Sequence, residues 1–192
     1  MTTKLDTRQM VLLSLLTAIV VVLQLLGSFV RLGPFSVSLV LMPITLGAAL
    51  IGPWGGAWLG LVFGGVVLLS GDAAFFFPID PIGTVVVVLT RGIVAGLAAG
   101  FVYRLLVNKN KTAAAGLAAT VCPIVNTGLF VVGMYVFFLP TVTQWGMYEG
   151  FTNAAEYIFL GLIGANFIFE LVLNIVFIPI IIRLIRAREV MR

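Results

Sequence analysis

Arg91 and Glu170 each lie roughly half way along an apolar stretch long enough to span a bilayer. A charge at that depth costs at least ~2.5 kcal/mol unless it faces a partner or a wet cavity. Asn166, Glu170 and Asn174 recur at intervals of four, so on a helix they form one stripe, and all three cannot comfortably face lipid. Asn126 and Thr127 sit near the middle of another apolar run, just after the backbone irregularity expected at Pro123. Two chemistries suit this set. Arg91 and Glu170 can form a structural ion pair buttressed by asparagines. Alternatively, Arg91 can offer its forked donor to a carboxylate or phosphate in a pocket open to the outside. The two are compatible if the pair forms one wall of the pocket.

The elements that must position these residues follow from composition. Of the residues 61% are hydrophobic and 9% charged, against about 25% charged in an ordinary soluble domain. The chain reads as an all-α integral membrane protein, one domain over residues 1–192, with room for about six spans of roughly 20 residues. The expected spans are Met10 to Phe29, Ser36 to Ile51, Trp54 to Ser70, Thr84 to Val107, Ala113 to Leu139 (interrupted by Pro123) and Tyr157 to Leu184. The segment from Val30 to Phe35, with Gly33 and Pro34, breaks the first span from the second. Gly52 and Pro53 make the second and third antiparallel neighbours. The N-terminus shows no small-residue cleavage signature after a short apolar core, so the first run is expected to be retained as a helix.

Basic residues set the orientation. Lys4, Arg8, Arg104, Lys109, Lys111, Arg183, Arg186, Arg188 and Arg192 fall on the side of both termini, and only Arg31 falls in an opposite loop. That bias predicts six transmembrane helices with both termini cytoplasmic. Two long loops, Gly71 to Gly83 and Pro140 to Ala155, then lie outside with Asp72, Asp80, Trp145, Tyr148, Glu149 and Glu156. Long loops usually carry function. Phe75, Phe76 and Phe77 in the first are either anchors at the membrane surface or part of a lid over a small molecule.

Gly56, Gly60 and Gly64, and Gly92, Gly96 and Gly100, repeat every four residues and allow close backbone approach. Internal packing is the favoured reading over a subunit interface. The basic residues lie in short segments flanking apolar runs, which argues against nucleic-acid binding. Histidine is absent and Cys122 is alone, which removes Ser-His catalysis, histidine metal sites and an intrachain disulfide. No cofactor is expected. An intramembrane protease is disfavoured, because Asp72 and Asp80 share one loop. A stand-alone secondary carrier remains the main rival, weakened by the lack of an evident inverted repeat. A purely structural subunit is the last option.

Three stretches carry a resemblance: PWGGAWLGLVFGGVVLLSGD from Pro53 to Asp72, PIVNTGLFVVGM from Pro123 to Met134, and GLIGANFIFELVLNIVFIP from Gly161 to Pro179. With six spans and both ends inside, they resemble the substrate-binding S components of energy-coupling factor (ECF) vitamin transporters. The resemblance implies a non-enzymatic subunit that captures a vitamin from outside. It then docks on a module of one transmembrane coupling protein and two ATPases, and topples in the membrane to release its cargo. No G-x-x-x-x-G-K-[ST] motif is present, so energy has to come from partners. Family docking uses small residues at four-residue spacing on the first helix, which Ser14 and Ala18 match and Val22 does not.

Carried onto this chain, the family site falls on Asp72, Phe76 and Asp80, on Arg91, on Asn126 and Thr127, on Trp145 and Tyr148, and on Asn166 and Glu170. Pantothenate comes first among the vitamins. It is a small anion with hydroxyls and an amide, suited to one Arg among several Asn and Thr. Hydroxymethylpyrimidine or pyridoxine comes next, and riboflavin lower for want of stacking partners.

Overall fold

A computed structural model describes residues 6–28, 31–32, 35–36 and 39–190. Lys4 and Arg192 of the charge count, and the predicted break at Gly33 and Pro34, lie outside the described residues. The described residues form helices and connecting turns, with a two-residue antiparallel ladder that pairs Arg31 with Ser36 and Leu32 with Phe35. Helices α1 (Thr7–Gly27), α3 (Pro53–Ser70), α4 (Pro81–Leu106) and α5 (Lys111–Phe137) are each long and apolar enough to cross a membrane.

The predicted second span is shorter than expected: α2 covers only Leu41–Leu50. Ten residues rise about 15 Å, half the hydrocarbon thickness. Pro43 accounts for the late start, since another turn upstream would put its ring against the carbonyl of Leu39. Gly52, with φ of 112°, then turns the chain into α3, whose first residue is Pro53.

The predicted sixth span is also broken. Ala154–Glu156 (α7) runs into a π-helical segment, Tyr157–Leu162, followed by α8 (Gly164–Val176) and α9 (Ile178–Val190). The pieces Ala154–Leu162 and Asn166–Val176 meet at 45° and together count as one further candidate crossing. Gly161 and Gly164 lower helix propensity at the bend, and Pro179 cannot donate back to Ile175. Conversely, α5 runs without interruption through Pro123, because losing one backbone bond in a helix of 27 residues leaves the rest of the ladder intact. The expected Pro140 to Ala155 loop contains a further helix, α6 (Leu139–Tyr148). Val142 and Gly146, four residues apart, are its buried face, and Gly146 lets it approach the ring of Tyr157 closely.

The two glycine rows meet each other. Gly56 packs on the carbonyl of Gly96, Gly60 on that of Gly92, and Gly64 on Val88 and Leu89, so α3 and α4 lie antiparallel with backbones in contact. The favoured internal-packing reading therefore holds. Helix α1 runs parallel to α3, with Trp58 Nε1–H donating to Thr17 Oγ1 at 3.1 Å. Two apolar clusters result. One joins α1 to α5 through residues such as Val20, Leu41, Leu59, Phe63 and Ala95. The other gathers Phe76, Phe130, Met134, Phe138, Ile158 and Leu162. Much of the outward surface of the long helices is apolar, including Val11, Leu15, Trp54, Leu69 and Leu105, as a lipid-facing surface requires.

Candidate functional site

Between the two apolar clusters lies a cavity of about 70 Å³. Its apolar walls are Val67, Ala73 and Val88 from the first cluster and Phe76, Phe130, Leu162 and Ile163 from the second. Its polar lining is Gln24, Asp72, Arg91, Asn126, Thr127, Asn166 and Glu170. Space of that size holds several waters at roughly 10–15 Å³ each.

Local structure explains how each side chain arrives. Gly71, with φ of +84°, ends α3 in the left-handed conformation and lets the chain reverse. Consecutive turns then follow, with Ala74 N–H on Gly71 O at 3.0 Å and both Phe76 N–H on Ala73 O and Asp80 N–H on Phe76 O at 3.1 Å. These turns bury Phe76 to 4% exposure while Phe75 and Phe77 stay outside. The phenylalanine triplet is thus divided, with Phe76 alone in the cavity wall. Its ring contacts Phe130, Phe138 and Trp145, with centroids 6.3, 4.9 and 5.7 Å away.

Arg91 stands between aromatic faces, its guanidinium carbon 5.6 Å from the Phe63 ring and 5.3 Å from the Phe130 ring. Glu170 first, then Asp72, act on it electrostatically. The polar stripe on α8 is buried as expected: Asn166, Glu170 and Asn174 are all under 9% exposed. Asn174 is outside the cavity lining and donates from Nδ2 to the Glu170 carbonyl at 2.9 Å. Four polar atoms of the lining, Gln24 Oε1, Arg91 Nε, Asn126 Oδ1 and Asn166 Oδ1, are buried without a hydrogen-bond partner among the described residues. Such orphans are rare in finished interiors and call for a missing partner.

Seven of the ten predicted substrate-site residues come together here: Asp72, Phe76, Arg91, Asn126, Thr127, Asn166 and Glu170. Trp145 and Tyr148 do not join them. They line a second recess of about 340 Å³ with Phe75, Glu149 and Tyr157, sharing Phe76 and Leu162 with the first. Those two residues form the partition. Asp80 reaches neither cavity, because its Oδ1 accepts from Gly83 N–H at 2.9 Å and caps α4. Gln24 was missed. It is the sole amide in the run from Met10 to Gly27, whose other polar residues are the small hydroxyls Ser14 and Thr17, and that is the signal that could have found it.

Residues 8–182 match the family described as ECF transporter, substrate-specific component. The chain belongs to that family. It is a multi-pass membrane protein and the substrate-specific component of a transporter. This S component is 27% identical over 197 residues to a curated protein, Pantothenic acid transporter PanT of Lactococcus lactis subsp. cremoris (strain MG1363). The match covers 93% of this chain and 94% of that one. No solved structure matches significantly.

Proposed function

We propose that this S component, a single domain over residues 1–192, captures pantothenate at the outer face of the membrane and passes it to an ATP-driven module. The observation that carries the reading is half-buried Arg91, its Nε buried and unpartnered, lining one cavity with the unpartnered side-chain carbonyls of Asn126 and Asn166 between two apolar clusters. A carboxylate answers the forked cation, and hydroxyl and amide hydrogens answer the carbonyl oxygens. Pantothenate carries all three kinds of group. The relative named a pantothenic acid transporter supports the same choice. Asp72, Phe76, Thr127 and Glu170 complete the inner site, with Trp145 and Tyr148 in the outer recess as the approach.

One observation favours a second reading. Glu170 and Asp72 surround Arg91 with two carboxylates, which suits a neutral, donor-rich ligand such as pyridoxine or hydroxymethylpyrimidine better than an anion.

The topology that fits is six membrane-embedded segments with both termini cytoplasmic. The four long helices cross fully, α2 occupies half the thickness, and α7 to α8 cross as a bent pair. The partners are a transmembrane coupling protein and two ATPases. Ser14 and Ala18, both exposed on α1, supply part of the docking face.

Calorimetry of purified protein in detergent against pantothenate, pyridoxine and hydroxymethylpyrimidine tests the ligand. Saturable binding of pantothenate alone is expected, and selective binding of either other compound overturns that choice. Reconstitution with the coupling module tests transport, since uptake that proceeds without ATP would identify a stand-alone carrier instead.

A further inference from the structure

Helix α1 buries Leu16, Val20, Gln24 and Gly27, so Gln24 is the polar side chain on an otherwise apolar buried stripe. The side chain is 1% exposed and lines the cavity. Its Nε2 donates to Asp72 Oδ2 at 2.7 Å, and Ser70 Oγ donates to the same oxygen at 3.2 Å. A carboxylate accepts and does not donate, so the amide can be oriented in only one way. The NH₂ faces Asp72, and Oε1 is left to the opposite side. Oε1 is buried and has no hydrogen-bond partner among the described residues. A desolvated carbonyl held in this way is a standing cost that a bound donor removes.

We infer that Gln24 is a specificity-determining residue of the binding site, its Oε1 accepting a hydrogen bond from a hydroxyl or amide N–H of the captured vitamin. The inference rests on the proposed capture function and extends the site to the first helix, where neither the resemblance nor the stripe on α8 placed it. Asp72 acts through Gln24: it fixes which end of the amide meets the ligand. The site then combines one cationic donor, Arg91, with carbonyl acceptors on α1, α5 and α8. The ligand it selects has an anionic or strongly accepting end and two or more donors on the rest of its length.

The test is a thermodynamic cycle on purified protein. Wild type and Gln24→Met are titrated with pantothenate and with analogues in which either hydroxyl is replaced by hydrogen or the amide nitrogen is methylated. Gln24→Met is expected to weaken pantothenate binding on the order of 10-fold to 100-fold, from the penalty of an unmade buried hydrogen bond. One analogue should lose a similar factor on wild type and almost nothing further on the variant, the non-additivity that marks a direct pair. Unchanged affinity in Gln24→Met overturns the inference while leaving the capture reading intact. Losses that multiply for every analogue overturn it in favour of a structural role. Where wild type binds pyridoxine instead, the same cycle is run on its deoxy analogues. Wild type that binds none of pantothenate, pyridoxine and hydroxymethylpyrimidine overturns the capture reading and this inference together. Gln24→Asn, which keeps the amide on a stem one carbon shorter, serves if the methionine variant does not fold, with the same loss expected.

Discussion

Gly60 of α3 rests with its backbone against the carbonyl of Gly92 on α4, and each would meet the other if it gained a side-chain carbon. Contact at that distance is what lets two membrane helices associate through dispersion and packing, where lipid offers no hydrophobic driving force between them. Gly60→Ala is therefore expected to destabilise the fold by about 1–3 kcal/mol, the usual range for overpacking. Gly65→Ala on the same helix meets nothing within 4 Å and is the matched control, neutral or slightly stabilising. Thermal unfolding in detergent decides, and equal melting temperatures for the two variants would remove the argument.

Arg91 carries the ligand's anionic end in the proposed site. Arg91→Ala should abolish measurable pantothenate binding while the protein remains folded. Arg91→Lys should retain some, since an ammonium restores charge without the fork. Calorimetry that finds wild-type affinity in the alanine variant would exclude the carboxylate clamp.

Glu170 is 6% exposed and lines the same cavity as Arg91. Glu170→Gln is expected to lower the melting temperature more than it weakens pantothenate binding, because it leaves the cation less compensated. The opposite pattern, a large affinity loss at constant melting temperature, points to a donor-rich neutral ligand held by the carboxylate.

Asp80 caps α4 and stays out of both cavities. Asp80→Ala should cost about 0.5–2 kcal/mol of stability through the lost cap and leave Kd unchanged, whereas Asp80→Asn should keep both. A tenfold weaker Kd in Asp80→Asn would return this residue to the site.

Ser14 and Ala18 lie on the exposed face of α1, away from its buried stripe. Replacing Ala18 with Trp should leave vitamin binding intact and abolish co-purification with the coupling module. Normal assembly in that variant would place docking elsewhere.

Much of this was legible in residues alone. Long apolar runs specify membrane helices, because backbone groups in lipid must be satisfied within the segment. Four-residue spacing in the glycine rows and in Asn166, Glu170 and Asn174 specifies a helix face, and burial of that polar face follows from the cost of exposing it to lipid. Arg91, Asn126 and Thr127 were marked by being polar in the wrong solvent, and all three line the cavity.

Periodicity, however, encodes a face and neither a depth nor a partner. Only the packed chain decided that Phe76 turns inward while Phe75 and Phe77 do not, since that depends on successive turns after Gly71. Only it separated Asp72 from Asp80, two aspartates of one loop, giving one to the cavity and the other to a helix cap. The bend between the π-helical segment and α8 and the half-length of α2 reflect glycine and proline acting along the chain, which the length of the apolar runs alone does not show. Gln24 and Asp72 stand 48 residues apart. No local pattern joins them, and their hydrogen bond exists because α1 and the end of α3 are pressed side by side.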